Sequence, residues 1–316
     1  MSIFEEKGIQ PMLISEQQNP FDSPDWIYEL KLDGIRCIAY MDYHHVDLRN
    51  KRDKKLLPFV PELSEIHRQV TDKCILDGEL FVLKNGITDF YEIQRRALMT
   101  DPFKIKLAGQ KYPTCFVAFD ILYLKNKLMT DSPLIMRKDQ LKKIVVENNF
   151  FCASRYVEND GIKLFKAAKS QYLEGIVAKK KDSQYYFGKR TKDWIKCKVM
   201  QTDDCVICGY IPKTNHMTSL ILGQYDDNHS LVYRGHVTLG VSLRFFDHYR
   251  PKRIDFSPFG SIPKGNENAI WLAPELVCIV ESMPTDKKAF RQPVFKGIRD
   301  DKLPKECRIS PEISMT

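Results

Sequence analysis

Residues 26–41, "WIYELKLDGIRCIAYM" up to Met41, mix strand-forming apolar residues with charge: Glu29, Lys31, Asp33 and Arg36 fall within eight positions. Strand side chains alternate faces, so Glu29 and Lys31 are expected on one face and Tyr28, Leu30 and Leu32 on the other. One face packs a core, and the other presents a carboxylate and an amine. Strand-like runs bounded by turn residues recur at 26–32, 35–41, 74–83, 114–123 and 174–181. Helical spacing appears in "PELSEIHRQV", where a first-turn proline precedes Leu63, Ile66 and Val70 on one face. It appears again in "DFYEIQRRALM", which Asp89 can cap, in "RKDQLKKIVVE" and in "DGIKLFKAAKSQYLE". Strands and helices mix without regular βαβ alternation, which predicts an α+β fold.

The texture changes after "WIKCKVMQTDD". Short strands are predicted at 205–211, 219–226, 230–237 and within 269–283, with one helical stretch, "SLRFFDHYR". Five short strands and one helix in a little over a hundred residues fit a small OB-fold barrel. The boundary is placed in the polar "MQTDD", giving domains of 1–201 and 202–316.

Bulk properties narrow the picture. A chain of 316 residues, 43% hydrophobic and 28% charged, has room for two globular domains. No apolar run reaches the length of a membrane span, and "MSIFEEKGIQ" lacks an export pattern, so a cytoplasmic, nucleoid-associated protein is expected. Nine scattered cysteines suit reduced thiols, and Cys205 and Cys208, the one CxxC, read as small buried strand residues rather than zinc ligands. The net charge of +8 is uneven. Residues 1–200 carry 34 Lys/Arg against 27 Asp/Glu, and residues 201–316 carry 15 against 14. A basic first domain favours a polyanionic partner, nucleic acid above all.

The polar positions set into the strands carry the chemistry. "ELKLDGIR" is followed by Arg49 in "LRNKRD", Asp77 and Glu79 in "ILDGEL", and Phe119 in "FVAFDIL". Glu174 then opens "EGIVAKK", Arg190 precedes Lys196 and Lys198 of "DWIKCKV", and Arg299, Asp301 and Lys302 stand in "FKGIRDDK". Taken singly, each is an acid or base on a strand edge. Taken in order, the series resembles the motifs of covalent nucleotidyltransferases, and among them the ATP-dependent DNA ligases, especially the ligase domain of bacterial end-joining, LigD-type enzymes. The resemblance runs from about residue 25 to 302.

It implies an adenylation domain of antiparallel sheets with flanking helices, followed by an OB-fold. It implies that AMP moves from ATP to Lys31, then to a nick 5′-phosphate, and leaves when the 3′-hydroxyl attacks. Only a neutral amine can attack phosphorus, so burial or neighbouring cations must depress the Lys31 pKa from about 10.4. By resemblance Glu29 lies by the purine edge, Phe119 stacks on adenine and Glu79 meets the ribose. Lys196 and Lys198, with Arg190, hold the α-phosphate, and Arg36 and Arg49 hold nucleotide or nick phosphate. Glu79 and Glu174 suit Mg²⁺ or Mn²⁺, and Arg299, Asp301 and Lys302 orient pyrophosphate after the second domain swings over. The expected partner is nicked double-stranded DNA without sequence preference, bound by a monomer. A DNA-end-binding recruiter such as Ku is expected by family analogy. Few residues precede the motif, so no N-terminal DNA-binding domain is expected, and the missing nicotinamide-recognising domain favours ATP over NAD. An RNA ligase or capping-type enzyme, and a catalytically silent nucleic-acid-binding module, stand as alternatives.

Overall fold

The computed structural model describes residues 2–309, apart from 18, 85, 215, 216, 243 and 286. The chain divides into two compact units, 1–199 and 200–316. In the first, strands β1 (Leu13–Glu16), β2 (Trp26–Leu30), β3 (Ile35–Met41), β4 (Val46–Asn50), β5 (Cys74–Lys84), β6 (Ile87–Thr88), β7 (Thr114–Leu124), β8 (Lys127–Leu128), β9 (Phe151–Ala153), β10 (Val157–Glu158), β11 (Gly175–Lys180) and β12 (Arg190–Lys198) form two sheets. Helices α1 (Ile3–Glu6), α2 (Phe90–Ala97), α3 (Pro102–Lys111), α4 (Leu134–Ile144) and α5 (Gly161–Ser170) accompany them. The first sheet runs β1-β12-β11-β2-β10 and the second β4-β3-β5-β7-β8, with β6 on β5 and β9 on β7. Pairing is antiparallel except for β1 with β12 and β7 with β9.

Three apolar layers follow from the alternation. Ile27 and Trp194 of the first sheet meet Ile38, Tyr40, Ile75 and Leu122 of the second, so the two sheets stack face to face. The outer face of the first sheet buries Tyr28, Ile176, Ala178 and Cys197 against Ala168 of α5. The outer face of the second buries Ala39, Leu76 and Phe116 among Leu63, Ile93, Leu141 and Ile144. Every strand position in the central layer thus needs an apolar side chain or a paired charge.

Glycine is required where strands close in. A Cβ on Gly78 would lie 2.4 Å from the Val117 carbonyl oxygen and 2.5 Å from the Phe116 ring. Gly175 has φ +135° and its Cβ would meet the Cys197 carbonyl at 2.1 Å. Both glycines precede or follow an acid of interest, Glu79 and Glu174, so the backbone fixes where those carboxylates start.

Several elements differ from the sequence expectation. The stretch 61–70 is not one amphipathic helix but two 3₁₀ turns, Pro61–Leu63 and Ile66–Gln69. Arg96, fully buried, takes both oxygens of Glu62 at 2.8 Å and also the Phe59 carbonyl, while Thr114 N–H donates to Glu62 at 2.8 Å. Those tertiary bonds hold the segment flat against the sheet. Helix α3, capped by Asp101, went unpredicted. Helix α5 stops at Ser170, four residues early, where Tyr172 turns to φ +56°. Strand β2 ends at Leu30, and Leu30 is exposed rather than core, so the predicted alternation breaks there.

The second unit contains β13 (Gln201–Pro212), β14 (Thr218–Tyr225), β15 (Leu231–Val237), α6 (Phe245–His248), β16 (Arg253–Ile254), β17 (Ile270–Leu272), β18 (Val277–Met283) and β19 (Arg291–Arg299). One seven-stranded sheet wraps around β13, which pairs with β14, β17 and β18. Cys205 and Cys208 are buried in β13. Helix α6 is a single turn inside the predicted nine-residue stretch, whose Leu243 lies outside the described residues.

Replacing Gly78 by alanine should destabilise the protein by about 1–3 kcal/mol through overpacking. Urea denaturation measures it, and an unchanged midpoint would mean β7 yields without cost.

Candidate active site

A cleft opens at one end of the stacked sheets. From the first sheet and its margin come Glu29, Lys31, Val177, Lys179 and Trp194, and from the second Arg36, Glu79 and Phe119. The reason is register. Arg36 pairs across with Glu79, and Ile38 with Asp77, so Arg36, Asp77 and Glu79 all face the first sheet. Glu29 shares a face with Ile27 and arrives opposite them.

Lys31 sits just past the end of β2, its N–H bonded to the Gly175 carbonyl at 2.9 Å. Its ammonium is 2.7 Å from the Glu174 carboxylate, with 19% of the lysine side chain and 6% of the glutamate exposed. The amine is therefore reachable but already engaged with an acid.

Two buried ion-pair clusters flank it. Arg36 donates from Nε to Asp77 at 2.6 Å and from Nη2 at 2.5 Å, and Tyr185 donates its hydroxyl to the same carboxylate at 2.6 Å. The guanidinium also lies 4.8 Å from the centre of the Phe119 ring. Glu29, with 3% of its side chain exposed, accepts from Lys138 at 2.7 Å, Lys179 at 2.9 Å and the Ser154 hydroxyl at 2.9 Å. Lys179 lies 4.3 Å from the ring centres of both Phe119 and Trp194, within cation–π range.

These surroundings displace the titrations. Burial alone would raise the Glu29 carboxyl, but Lys138 and Lys179 hold it below the usual value. Burial pushes Lys179 down to about 8, opposed by Glu29 and reinforced by Lys138. Burial likewise pushes Glu79 up to about 8, opposed by Lys31 and Arg36 and reinforced by Glu174 and Asp77.

Lys196 and Lys198 share a face of β12 with the buried Trp194, and both reach Glu16 of β1, at 2.9 and 3.6 Å. Arg190 begins the same strand, is exposed, and donates to the Ile14 carbonyl. Arg49 lies on β4, ion-paired with Asp47 at 2.9 Å and Asp53 at 2.8 Å, outside the cleft lining. In the second unit Arg299 and Lys302 converge on Asp204, at 2.8 and 2.6 Å, and Arg299 also bonds Asp301 at 2.8 Å.

Sequence reasoning missed Lys138, Lys179, Ser154, Tyr185, Glu16 and Asp204. Lys179 stood in plain view inside "EGIVAKK", as a charge in an otherwise apolar buried strand. Lys138 had no such signal, because "RKDQLKK" reads as the solvated face of a helix.

Comparison with known proteins now decides the family. Residues 11–198 match the ATP dependent DNA ligase domain, and residues 213–302 the ATP dependent DNA ligase C terminal region. The chain belongs to the ATP-dependent DNA ligase family. It is 29% identical to DNA ligase C1 of Mycolicibacterium smegmatis over 95% of this chain and 92% of that protein. It is 30% identical to the multifunctional non-homologous end joining protein LigD of Pseudomonas aeruginosa, over 94% of this chain but only 36% of that one. The solved mycobacterial DNA ligase D complexed with ATP and MES superposes with a TM-score of 0.56 at 26% identity, covering 95% of this chain and 97% of that one. The resemblance read from "ELKLDGIR" onward, the α+β adenylation domain with an OB-fold, and ATP-dependent DNA joining are borne out. The RNA-ligase, capping and silent-module alternatives are not favoured. Among the described residues no helix is long and apolar enough to cross a membrane.

The sign of the Glu79 effect gives a test. A carboxyl held up to about 8 in the fold and near 4.5 unfolded retains its proton longer when folded. Its stabilisation is therefore full below the unfolded pKa and lost as pH rises through the folded one. Without nucleotide or divalent cation, wild-type Tm should fall as pH rises from about 4.5 to about 8, and Glu79→Gln should fall less over that window. Parallel Tm–pH curves for the two proteins would remove this assignment.

Proposed function

We propose that this chain seals 5′-phosphate/3′-hydroxyl nicks in duplex DNA through a lysyl-AMP intermediate on Lys31. The observation that carries it is the Lys31–Glu174 pair at 2.7 Å, set in a cleft walled by aromatic Phe119 and paired cations. In the first step the Lys31 Nζ lone pair forms a bond to the α-phosphorus of ATP while the bond to pyrophosphate breaks. The proton leaving Nζ has Glu174 as its nearest carboxylate. The AMP then passes to the nick 5′-phosphate, and attack by the 3′-hydroxyl expels it.

The remaining residues divide the charge of that reaction. Phe119 offers adenine a flat face and Glu79 is placed for the ribose. Lys196 and Lys198, now bridged by Glu16, exchange that carboxylate for the α-phosphate, with Arg190 beside them on β12. Arg36 and Arg49 take phosphate charge, and Arg299, Asp301 and Lys302 orient pyrophosphate while Lys31 is loaded. Positioned cations of this kind supply most of the barrier lowering in phosphoryl transfer.

Mg²⁺ fits the donor set. Burial, reinforced by Glu174, raises the Glu79 carboxyl, and a hard divalent cation held by one or two carboxylates plus substrate phosphates would favour its ionised form. It would neutralise phosphate charge. The domain assignment 1–201 and 202–316 rests on the change of texture at "MQTDD". Nicked duplex is the substrate, bound through phosphates by the basic first domain without sequence preference. An end-joining setting is read by analogy with the non-homologous end joining relatives, and a monomer with a Ku-like recruiter completes the reading.

Intact-mass spectrometry after exposure to ATP and Mg²⁺ should show one AMP added to the wild type and none to Lys31→Ala. An adduct on the alanine variant would refute the assignment. Separately, Arg299→Ala should slow self-adenylylation at least about tenfold, the scale of one lost charge-assisted bond, yet spare sealing of pre-adenylylated nicks. Equal loss in both steps would count against the pyrophosphate role.

A further inference from the structure

Lys138 lies outside every motif and outside the cleft lining, yet its ammonium meets three separate walls of the base pocket. It donates to Glu29 Oε1 at 2.7 Å, to the Phe119 carbonyl at 3.3 Å and to the Ser154 carbonyl at 3.3 Å. Glu29 belongs to β2 in the first sheet, Phe119 to β7 in the second, and Ser154 follows β9. An ammonium has three protons to give, and here all three are spent joining the two sheets at the place where the purine is read. Only 3% of the lysine side chain is exposed. A buried lysine is costly to retain for packing alone, since a methionine would fill the same volume without desolvation.

We infer that Lys138 is the positioning residue that sets the choice of adenine over guanine, by fixing the Glu29 carboxylate with a single acceptor site turned to the cleft. This rests on the reading that Lys31 takes up a nucleotide in that cleft. A carboxylate offers about four acceptor sites. Lys138, Lys179 and Ser154 occupy three of them. One acceptor site is left, on a carboxylate that lines the cleft. Adenine carries an amine donor on its six-position, whereas guanine carries an oxygen acceptor there. A fixed anionic acceptor bonds the first and repels the second. Such a site discriminates only while the carboxylate stays ionised and cannot rotate, and the Lys138 contact secures both. The other groups facing this cluster are Lys179 from β11, Tyr156 beyond Ser154 and Asp120 from β7, which acts on Lys179. None of them touches Glu29 Oε1.

The test compares self-adenylylation with self-guanylylation, using ATP and GTP with Mg²⁺ on the full chain. Lys138→Met keeps the volume and removes the charge. Its ATP-to-GTP ratio in kcat/KM should fall about tenfold or more, the scale for a buried recognition group losing its orientation. Its acid limb for ATP should also move to higher pH, because Glu29 loses one of the two cations that keep it ionised. Ser154→Ala, which removes one donor from the exposed side of the cluster, should lower the ratio less. A merely structural lysine would reduce both nucleotides alike and leave the acid limb in place, and either that result or an unchanged ratio overturns the inference. Should Lys138→Met fail to fold, Ser154→Ala decides by the same ratio. Wild type that accepts neither nucleotide defeats the Lys31 reading and this one together, and it is seen before any variant is made.

Discussion

Two sheets stacked face to face need an apolar layer between them, yet a phosphoryl-transfer site needs concentrated charge. The first unit meets both demands at one seam. Away from the cleft the layer is Ile27, Ile38, Tyr40, Ile75 and Leu122. Toward the cleft the same strand faces continue as Glu29, Arg36, Asp77 and Glu79. Arg36 pairs with Asp77, Glu29 with Lys138 and Lys179, and Lys31 with Glu174, while burial pushes the Glu79 carboxyl up to about 8, so that it keeps its proton. A buried ion without a partner costs several kcal/mol, roughly the stability margin of a domain. Pairing is thus a condition for the fold as well as for the chemistry.

The same condition explains what the pairs look like without nucleotide. Carboxylates sit where phosphate oxygens are proposed to lie. Glu16 bridges Lys196 and Lys198, and Asp204 bridges Arg299 and Lys302. Lysines and arginines so held keep their geometry, so less reorganisation would be needed for the proposed exchange of carboxylate for phosphate. Glu16 is half exposed, and such a surface pair is weak enough to exchange.

Much of this was legible in the chain because strand periodicity is short and its polar interruptions are conspicuous. β3, β5, β7 and β11 fall where apolar runs placed them, and Asp77 and Glu79 share a face as alternation requires. Lys31, Glu174, Lys196 and Lys198 all carry local signals, a charge in or beside an apolar run. What stayed hidden depends on long-range partners. The 61–70 segment has helical spacing, but Arg96 of α2 and Thr114 of β7 claim Glu62 and flatten it. Lys138 resembles its neighbours Lys142 and Lys143, and only the arrival of Glu29, over a hundred residues away in sequence, distinguishes it. Arg49 matched a motif, and the structure shows it tied to Asp47 and Asp53 beyond the cleft lining.

The order β1-β12-β11-β2-β10 seats the earliest strand of the first sheet directly against the latest, in parallel. Leu13 aligns with Arg190, and Glu16 with Lys196. On a ribosome, that edge must wait until nearly two hundred residues have emerged, and closing so long a loop is slow. Until then Leu13 and Ile14 have no neighbour in the ladder. A truncated product stopping before β12 would leave an open strand edge prone to pair with other chains, so aggregation of incomplete synthesis products is the expected cost of this topology.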